Sequence, residues 1–301
     1  MSKKSYKSKK YYKQLVEEAG IAILIDDEKG NFRFGNKKFA ELFGYSTGGI
    51  LKKSIKDIVH PDDVERVMEI HRTRVRGEKV PSNYEFKGIT KDKKPIWLEI
   101  HAEQLREKDK IVGTRSFIWE ITDRKKKEEY MVYLAYHDVL TGLANRWLLY
   151  DKFDSELTHI SRHNLKDILM SVMYLDLDYF KDINDNLGHN TGDMLLRDAA
   201  RKLEKCVRKG DTLARLGGDE FLILYTNVTK KEDIKFLADK VYEVFQKPFN
   251  ISNKKINMTT SMGISVYPND SEEIEQLIDN ADKALYVAKR KGRNRYEFFS
   301  Q

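Results

Sequence analysis

The densest chemistry in the chain lies in Arg215-Leu216-Gly217-Gly218-Asp219-Glu220-Phe221, where two glycines precede two carboxylates. Apolar runs flank them, Thr212-Leu213-Ala214 before and Phe221-Leu222-Ile223-Leu224-Tyr225 after. Glycine pairs supply the positive φ angles of tight hairpins and let a backbone approach a large ligand closely. Asp219 and Glu220 are therefore expected at a hairpin tip, where carboxylates are hard ligands suited to Mg²⁺. Gly-Gly-Asp is also ordinary turn chemistry, so the run needs partners elsewhere. One is Tyr174-Leu175-Asp176-Leu177-Asp178-Tyr179-Phe180-Lys181-Asp182-Ile183-Asn184-Asp185. A buried-type strand over 169–176 ends there in carboxylates, so Asp176 should leave the sheet facing open space. A strand-end Asp with a hairpin acid pair is the minimum set for two divalent ions over a triphosphate. Solvated strand-end acids are the plainer alternative, and Asp178 reads more simply as a structural hydrogen-bond acceptor.

Cationic and polar residues complete the pattern. Lys181, just past the strand, is placed to meet phosphate. Asn184, His189 and Asp193 punctuate 184–193, where Gly188 and Gly192 suggest a turn into a helix over 193–208. At that helix start Asp193 is either an N-cap or a base recogniser. A carboxylate accepts two N–H bonds from the guanine N1/N2 edge, and adenine, lacking that pair, would leave the acid unsatisfied. An Asn amide can address guanine O6 or N3. Lys289-Arg290-Lys291-Gly292-Arg293 reads as a cationic helix C-terminus with a glycine cap. Alternatively Lys289 and Arg293, at i and i+4, grip β- and γ-phosphates.

The elements that must hold these groups fall into two regions, as 301 residues suggest. The chain is 40% hydrophobic and 34% charged, enough for soluble cores. It contains no apolar run near the ~18 residues of a membrane span, and no signal-peptide core follows the N-terminal lysines. A single Cys206 excludes internal disulfides and a cysteine-built zinc site and fits a reducing cytoplasm. Lys3, Lys4, Lys7, Lys9, Lys10 and Lys13 precede the first acid, Glu17, and supply 6 of the net +7 charges. The remainder is near neutral, which argues against a nucleic-acid-binding body. Residues 1–10 read as a disordered solubilising arm.

In the first region a strand over 20–25, a turn over 26–31 and a partner at 32–34 precede a helix over 37–43. His60-Pro61-Asp62-Asp63 leads into a second helix reaching residue 76. Strands over 82–90, 95–105 and 111–121 follow. That order, with Phe43-Gly44-Tyr45, the His-Pro-Asp-Asp run and Trp119-Glu120-Ile121-Thr122-Asp123-Arg124, resembles a PAS domain over residues 11–122. The resemblance implies a five-stranded antiparallel sheet with helices, and a sensory, dimerising role. Its ligand is unknown: the cysteine of flavin-adduct photosensors is absent, and His60, His71 and His101 are haem-ligand candidates. His60 reads more simply as a loop residue and His101 as a strand residue. Over 123–137 Tyr130, Tyr133, Leu134 and His137 share one helix face. That helix either packs on its own domain or joins two protomers as a parallel coil.

From 138 to 301 strands and helices alternate. Helices over 193–208, 232–245 and 271–291 and strands over 255–266 and 296–299 give an α+β fold, a mostly antiparallel sheet flanked by helices. Asp138-x-Leu140-Thr141-Gly142-Leu143-x-Asn145-Arg146 opens the region. Asp176-x-Asp178-x-Phe180-Lys181-x-x-Asn184-Asp185, Gly188-His189-x-x-Gly192-Asp193, Gly217-Gly218-Asp219-Glu220-Phe221 and Ala288-Lys289-x-x-Gly292-Arg293-Asn294 follow. In this order they resemble the GGDEF family of diguanylate cyclases, whose fold is nucleotidyl-cyclase and palm-like. The resemblance implies conversion of two GTP into cyclic di-GMP and two pyrophosphates. It implies that Asp176, the Leu177 carbonyl, Asp219 and Glu220 bind two Mg²⁺ ions per site, with Mn²⁺ as a substitute. It makes Asp219 and Glu220 catalytic, Asp219 as candidate general base. Phe180, Lys181, Asn184, His189, Asp193, Lys289 and Arg293 become substrate-binding. Arg208-Lys209-Gly210-Asp211 matches the family's inhibitory product site. The two-fold symmetric product implies a homodimer, here through the PAS region and linker helix. The alternative, a catalytically silent GTP or cyclic di-GMP binding module, predicts a lost acid in 217–221, and none is lost.

Overall fold

A computed structural model describes residues 11–163, 168–251 and 254–300. The expected basic arm over 1–10 lies outside them. The chain divides after Tyr130 into two units. No helix among the described residues is long and apolar enough to cross a membrane.

The first unit builds an antiparallel sheet from β1 (Ala22–Asp27), β2 (Phe32–Gly35), β3 (Asn83–Ile89), β4 (Pro95–Glu107) and β5 (Lys110–Glu120), in the order β2-β1-β5-β4-β3. Along β4, Ile96, Leu98, Ile100 and Ala102 are buried at alternate positions, the period of a sheet with one covered face. Helices α1 (Lys37–Leu42), α2 (Thr47–Ile50), α3 (Ile55–Ile58) and α4 (Pro61–Val75) belong to the same unit, and buried residues from each join that core. Pro61 opens α4, and His60 Nδ1 accepts the Asp62 N–H at 3.4 Å, so His60 is a cap. His101 is a strand residue, its Nδ1 2.6 Å from Asn83 Oδ1. His71 is buried on α4, with Nδ1 3.5 Å from Asp26 Oδ1. The cavity beside it, lined by Asp26, Arg74, Tyr84, Thr114 and Ser116 among others, measures about 20 Å³. That admits a water molecule.

Helix α5 (Thr122–Tyr136) runs across the division and has no buried residue. In the second unit follow α6 (Arg146–Arg162), β6 (Leu169–Leu177), α7 (Phe180–Leu187), α8 (His189–Glu204), β7 (Thr212–Gly217), β8 (Glu220–Val228), α9 (Lys231–Phe245), β9 (Phe249–Ile251), β10 (Lys254–Ile256), β11 (Thr260–Tyr267), α10 (Ile274–Arg290) and β12 (Arg295–Phe298). The main sheet runs β12-β11-β6-β8-β7, antiparallel apart from β11–β12. Its two faces carry separate cores, one with α8 and α9, the other with α6 and α10. Strand β6 is therefore buried on both sides and is mostly apolar, with Ser171 and Asp176 as its exceptions. The single strand expected over 255–266 is instead two, β10 and β11. Thr259 is drawn out of the ladder between them, where its carbonyl accepts the Asp178 N–H and its hydroxyl donates to Asp178.

Candidate functional site

The hairpin β7–β8 carries the acid pair. Arg215 stands opposite Phe221 and Gly217 opposite Glu220, so Leu216 is the extra residue of a bulge. Gly217 has φ +150° and Gly218 φ +52°, angles that strain other residues. Arg215 fixes the turn from below: its Nε and Nη2 donate to the Gly218 carbonyl at 3.0 and 2.6 Å. Its Nη1 donates to both Asp138 oxygens at 2.8 and 3.0 Å. Asp138 also accepts from the Thr141 N–H and hydroxyl at 2.9 and 2.6 Å. Burial raises the Asp138 pKa, but the bonds from Thr141 and Arg215 outweigh it and hold the carboxyl below its ordinary value. The tip bearing Asp219 is thus clasped to the loop that opens the unit.

Asp176 lies opposite Glu220 in the β6–β8 register, a spacing that puts cross-strand Cβ atoms about 5 Å apart. Burial raises the pKa of both Asp176 and Asp219; the Asp219 charge adds to the shift at Asp176, and the Glu220 charge to that at Asp219. Lys289, in the last turn of α10, opposes this, with Nζ 2.7 Å from Asp176 Oδ2. Half-buried acids that repel one another form a site to which positive charge is drawn. Among the described residues no three His, Cys, Asp or Glu side chains converge as a closed metal site. Mg²⁺ typically takes only one or two carboxylates and completes its shell with phosphate oxygens and water. The donor set therefore fits Mg²⁺ held jointly with a phosphate-bearing ligand. Leu177 ends β6 with its side chain buried, which leaves its backbone carbonyl to offer.

Asp178 is the structural acceptor expected. Its buried carboxylate takes hydrogen bonds from Thr259 Oγ1 (2.6 Å), Ser261 Oγ (2.7 Å) and the Asn294 N–H (3.1 Å). Helix α7 begins two residues later. The Phe180 side chain belongs to the core, so what Phe180 can offer a ligand is its backbone. Lys181 is exposed on the first turn. Asn184, one turn on, has a buried Oδ1 without a hydrogen-bond partner. A Cβ on Gly192 would stand 1.9 Å from that oxygen, so only glycine lets α8 approach α7 this closely. Helix α8 starts at His189, not near Asp193, because the backbone turns at Gly188 with φ +83°. Asp193 is therefore no cap; it lies four residues after His189, on the same helix face. Arg293 stands beyond α10, at φ +61°, so its spacing of four from Lys289 is not that of a helical pair. What returns it toward β6 is Asp178, whose Oδ1 is 4.0 Å from Arg293 Nε.

Arg208 and Asp211 precede β7, at the opposite end of that strand from the glycines. They line a cavity of about 430 Å³ with Asn227, Asp233 and Lys240 among others. The Asp211 carboxylate is buried and accepts from the Arg208 and Thr226 N–H groups at 3.0 and 3.2 Å. The Arg208 side chain is 62% exposed, its Nε 3.5 Å from Asp211 Oδ1. Tyr174 escaped the sequence reading. It lies two residues before Asp176 on the same face of β6, and burial and the Glu220 charge both hold its phenol proton on. Period-two alternation back from Asp176 was the available signal.

The chain matches the family model of the diguanylate cyclase GGDEF domain over residues 135–295 and that of the PAS fold over residues 10–124. It is 39% identical over 178 residues to the bifunctional diguanylate cyclase/cyclic di-GMP phosphodiesterase MucR of Pseudomonas aeruginosa, covering 59% of this chain and 25% of that protein. The GGDEF domain of TpbB (YfiN) from the same species superimposes with a TM-score of 0.52 at 33% identity, covering 55% of this chain and 94% of that one. The coiled coil and GGDEF domain of DgcB from Caulobacter crescentus, solved with c-di-GMP, gives a TM-score of 0.50 at 26% identity, covering 59% and 93%.

Proposed function

The chain belongs to the GGDEF family, with a PAS domain ahead of its GGDEF domain, and we propose that it condenses two GTP into cyclic di-GMP and two pyrophosphates as a Mg²⁺-dependent homodimer. The observation that supports this best is the meeting of Asp176, Asp219 and Glu220 beside Lys289 at one end of the sheet. Bound there, Mg²⁺ supplies positive charge to the phosphates and acidifies a ribose hydroxyl. In each transfer a GTP 3′-oxygen forms a bond to the α-phosphorus of the other GTP. The bond from that phosphorus to the β-phosphate oxygen breaks, and pyrophosphate leaves. Asp219 takes the hydroxyl proton. Lys181, Lys289 and Arg293 hold phosphates. His189 and Asp193 face the nucleoside, and a guanine N–H would satisfy the orphaned Asn184 Oδ1. Arg208 and Asp211 take the product as inhibitor: an arginine reads guanine O6 and N7, and a carboxylate accepts from N1 and N2. The PAS domain sets how often two half-sites face each other, a shift of populations.

The test is product analysis by chromatography and mass spectrometry after incubation with GTP and Mg²⁺. Cyclic di-GMP is expected, and Asp219→Ala and Glu220→Ala should lower its formation by roughly 100-fold or more while circular dichroism stays native. Full activity in either variant removes the acid assignment. Binding of GTP without turnover in a folded dimer would return the silent-module reading.

A further inference from the structure

Tyr179 is an unusual choice for its position. It caps α7 with φ +60° and ψ +24°, a left-handed conformation that glycine or asparagine adopts at lower cost. The residue is 61% exposed, so core packing does not account for it. The ring does meet Arg293, whose guanidinium carbon lies 4.9 Å from its centroid. Arg293 is itself left-handed, as is Asn294, with φ +61° and +47°. Their turn is tied down by Asp178, which accepts the Asn294 N–H and lies near Arg293 Nε. Asp178 in turn is held by Thr259 and Ser261. Consecutive residues of one strand end thus grip Arg293 from two directions, a carboxylate along one edge of the guanidinium and an aromatic face beside it.

A partly exposed arginine loses rotamer freedom when it binds a phosphate. Stacking on an aromatic ring pre-orders the guanidinium plane. We propose that Tyr179 is a positioning residue, its ring the platform that holds Arg293 ready for a phosphate of a bound nucleoside triphosphate. This rests on the nucleotide reading above. Tyr179 itself need not touch the nucleotide.

The experiment measures the affinity of the full chain for 3′-deoxy-GTP with Mg²⁺ by calorimetry, since this nucleotide keeps the triphosphate but lacks the attacking hydroxyl. Tyr179→Leu keeps the bulk and the backbone constraint but removes the π face. It should weaken binding about two- to fivefold, the scale of an exposed cation–π contact. Tyr179→Phe should restore what Tyr179→Leu loses. In an Arg293→Ala background Tyr179→Leu should add nothing, as expected of a residue acting through its partner. With GTP as substrate the Tyr179→Leu loss should appear in KM rather than kcat. Wild-type affinity in Tyr179→Leu, alongside a weakened Arg293→Ala, overturns the proposal. So does an undiminished Tyr179→Leu effect without Arg293, which would make the ring a direct contact. If Arg293→Ala binds as wild type, the phosphate role of Arg293 fails first and the proposal falls with it.

Discussion

Asp26 has a pKa raised to about 7, chiefly by burial and also by the Asp27 charge, against bonds from Thr114 and the Arg74 charge. Below the unfolded value of 3.8 the carboxyl is protonated in both states, so its contribution to stability is then full. Between that value and about 7 the unfolded chain gives up the proton while the folded one keeps it, and stability falls as pH rises. The loss by pH 8 is about 4 kcal/mol as an upper figure. His71, facing Asp26, acts in the opposite sense. Burial lowers its pKa from 6.5, so it destabilises the fold as pH drops below that value. Arg74 and Tyr84 are the other charged and titratable groups on this cavity. Asp26→Asn should therefore abolish the decline between about pH 4 and 7, read as hydrogen-exchange protection of the N-terminal unit. A decline that survives the substitution places the titration elsewhere. In the second unit, Arg208→Ala should raise the half-inhibiting concentration of cyclic di-GMP by roughly 10- to 150-fold, because bonds to a charged group contribute about 1.5–3 kcal/mol. An unchanged inhibition curve leaves Arg208 a surface ion-pair partner of Asp211. The acids at 176, 219 and 220 were legible from type and spacing alone. The placing of Arg293 was not, because its turn is held by Asp178 across 116 residues of sequence, and no local pattern records that contact.

At the scale of elements, the hairpin depends on a clasp that is nearly closed to solvent. Arg215 and Asp138 side chains are 9% and 19% exposed, and Arg215 alone links the turn carbonyl to the opening loop. Asp138→Ala removes one partner of a mostly buried pair and leaves the Arg215 charge poorly compensated. The C-terminal unit should lose about 3 kcal/mol in urea unfolding, and GTP turnover should fall with it as the tip loosens. Asp138→Ala and Arg215→Ala should be strongly non-additive. Wild-type stability in Asp138→Ala would mean that the turn is held by its glycines and strands instead. The same scale separates what a sequence reader could and could not see. Strand β4 announces itself by alternation, and the hairpin by its glycines. Helix α6 went unseen because it buries only Leu149 and Phe153 among its 17 residues, too thin a stripe to register. Helix α7 is eight residues long and mostly polar, and its motif residues hide its period. The break between β10 and β11 comes from Thr259 bonding to Asp178, a tertiary cause.

For the molecule as a whole, the governing constraint of the proposed reaction is that each cyclic product needs two nucleotides, each attacking the other. One unit supplies a single set of Asp176, Asp219 and Glu220, and a two-fold symmetric product is most simply made by a two-fold symmetric pair of chains. Helix α5 offers a surface for that pair. It has no buried residue, and Tyr130, Met131, Val132, Tyr133 and Tyr136 are all exposed on it. Bulky apolar groups in water gain by covering one another, which favours a joined pair over a helix packed on its own domain. Rate per mole of chain should therefore fall on dilution. Subunit mixing tests the same idea without changing the total in the active form. If wild type exchanges freely with an equal amount of Asp219→Ala, about a quarter of the dimers keep two competent half-sites. Because the number of dimers has doubled, the measured rate should drop to about half. A rate that is unmoved by both dilution and mixing means that one chain completes the reaction alone, and the dimer reading fails. Halving on mixing with no dependence on dilution means a dimer too tight to dissociate at assay concentrations, its chains exchanging during the mixing step.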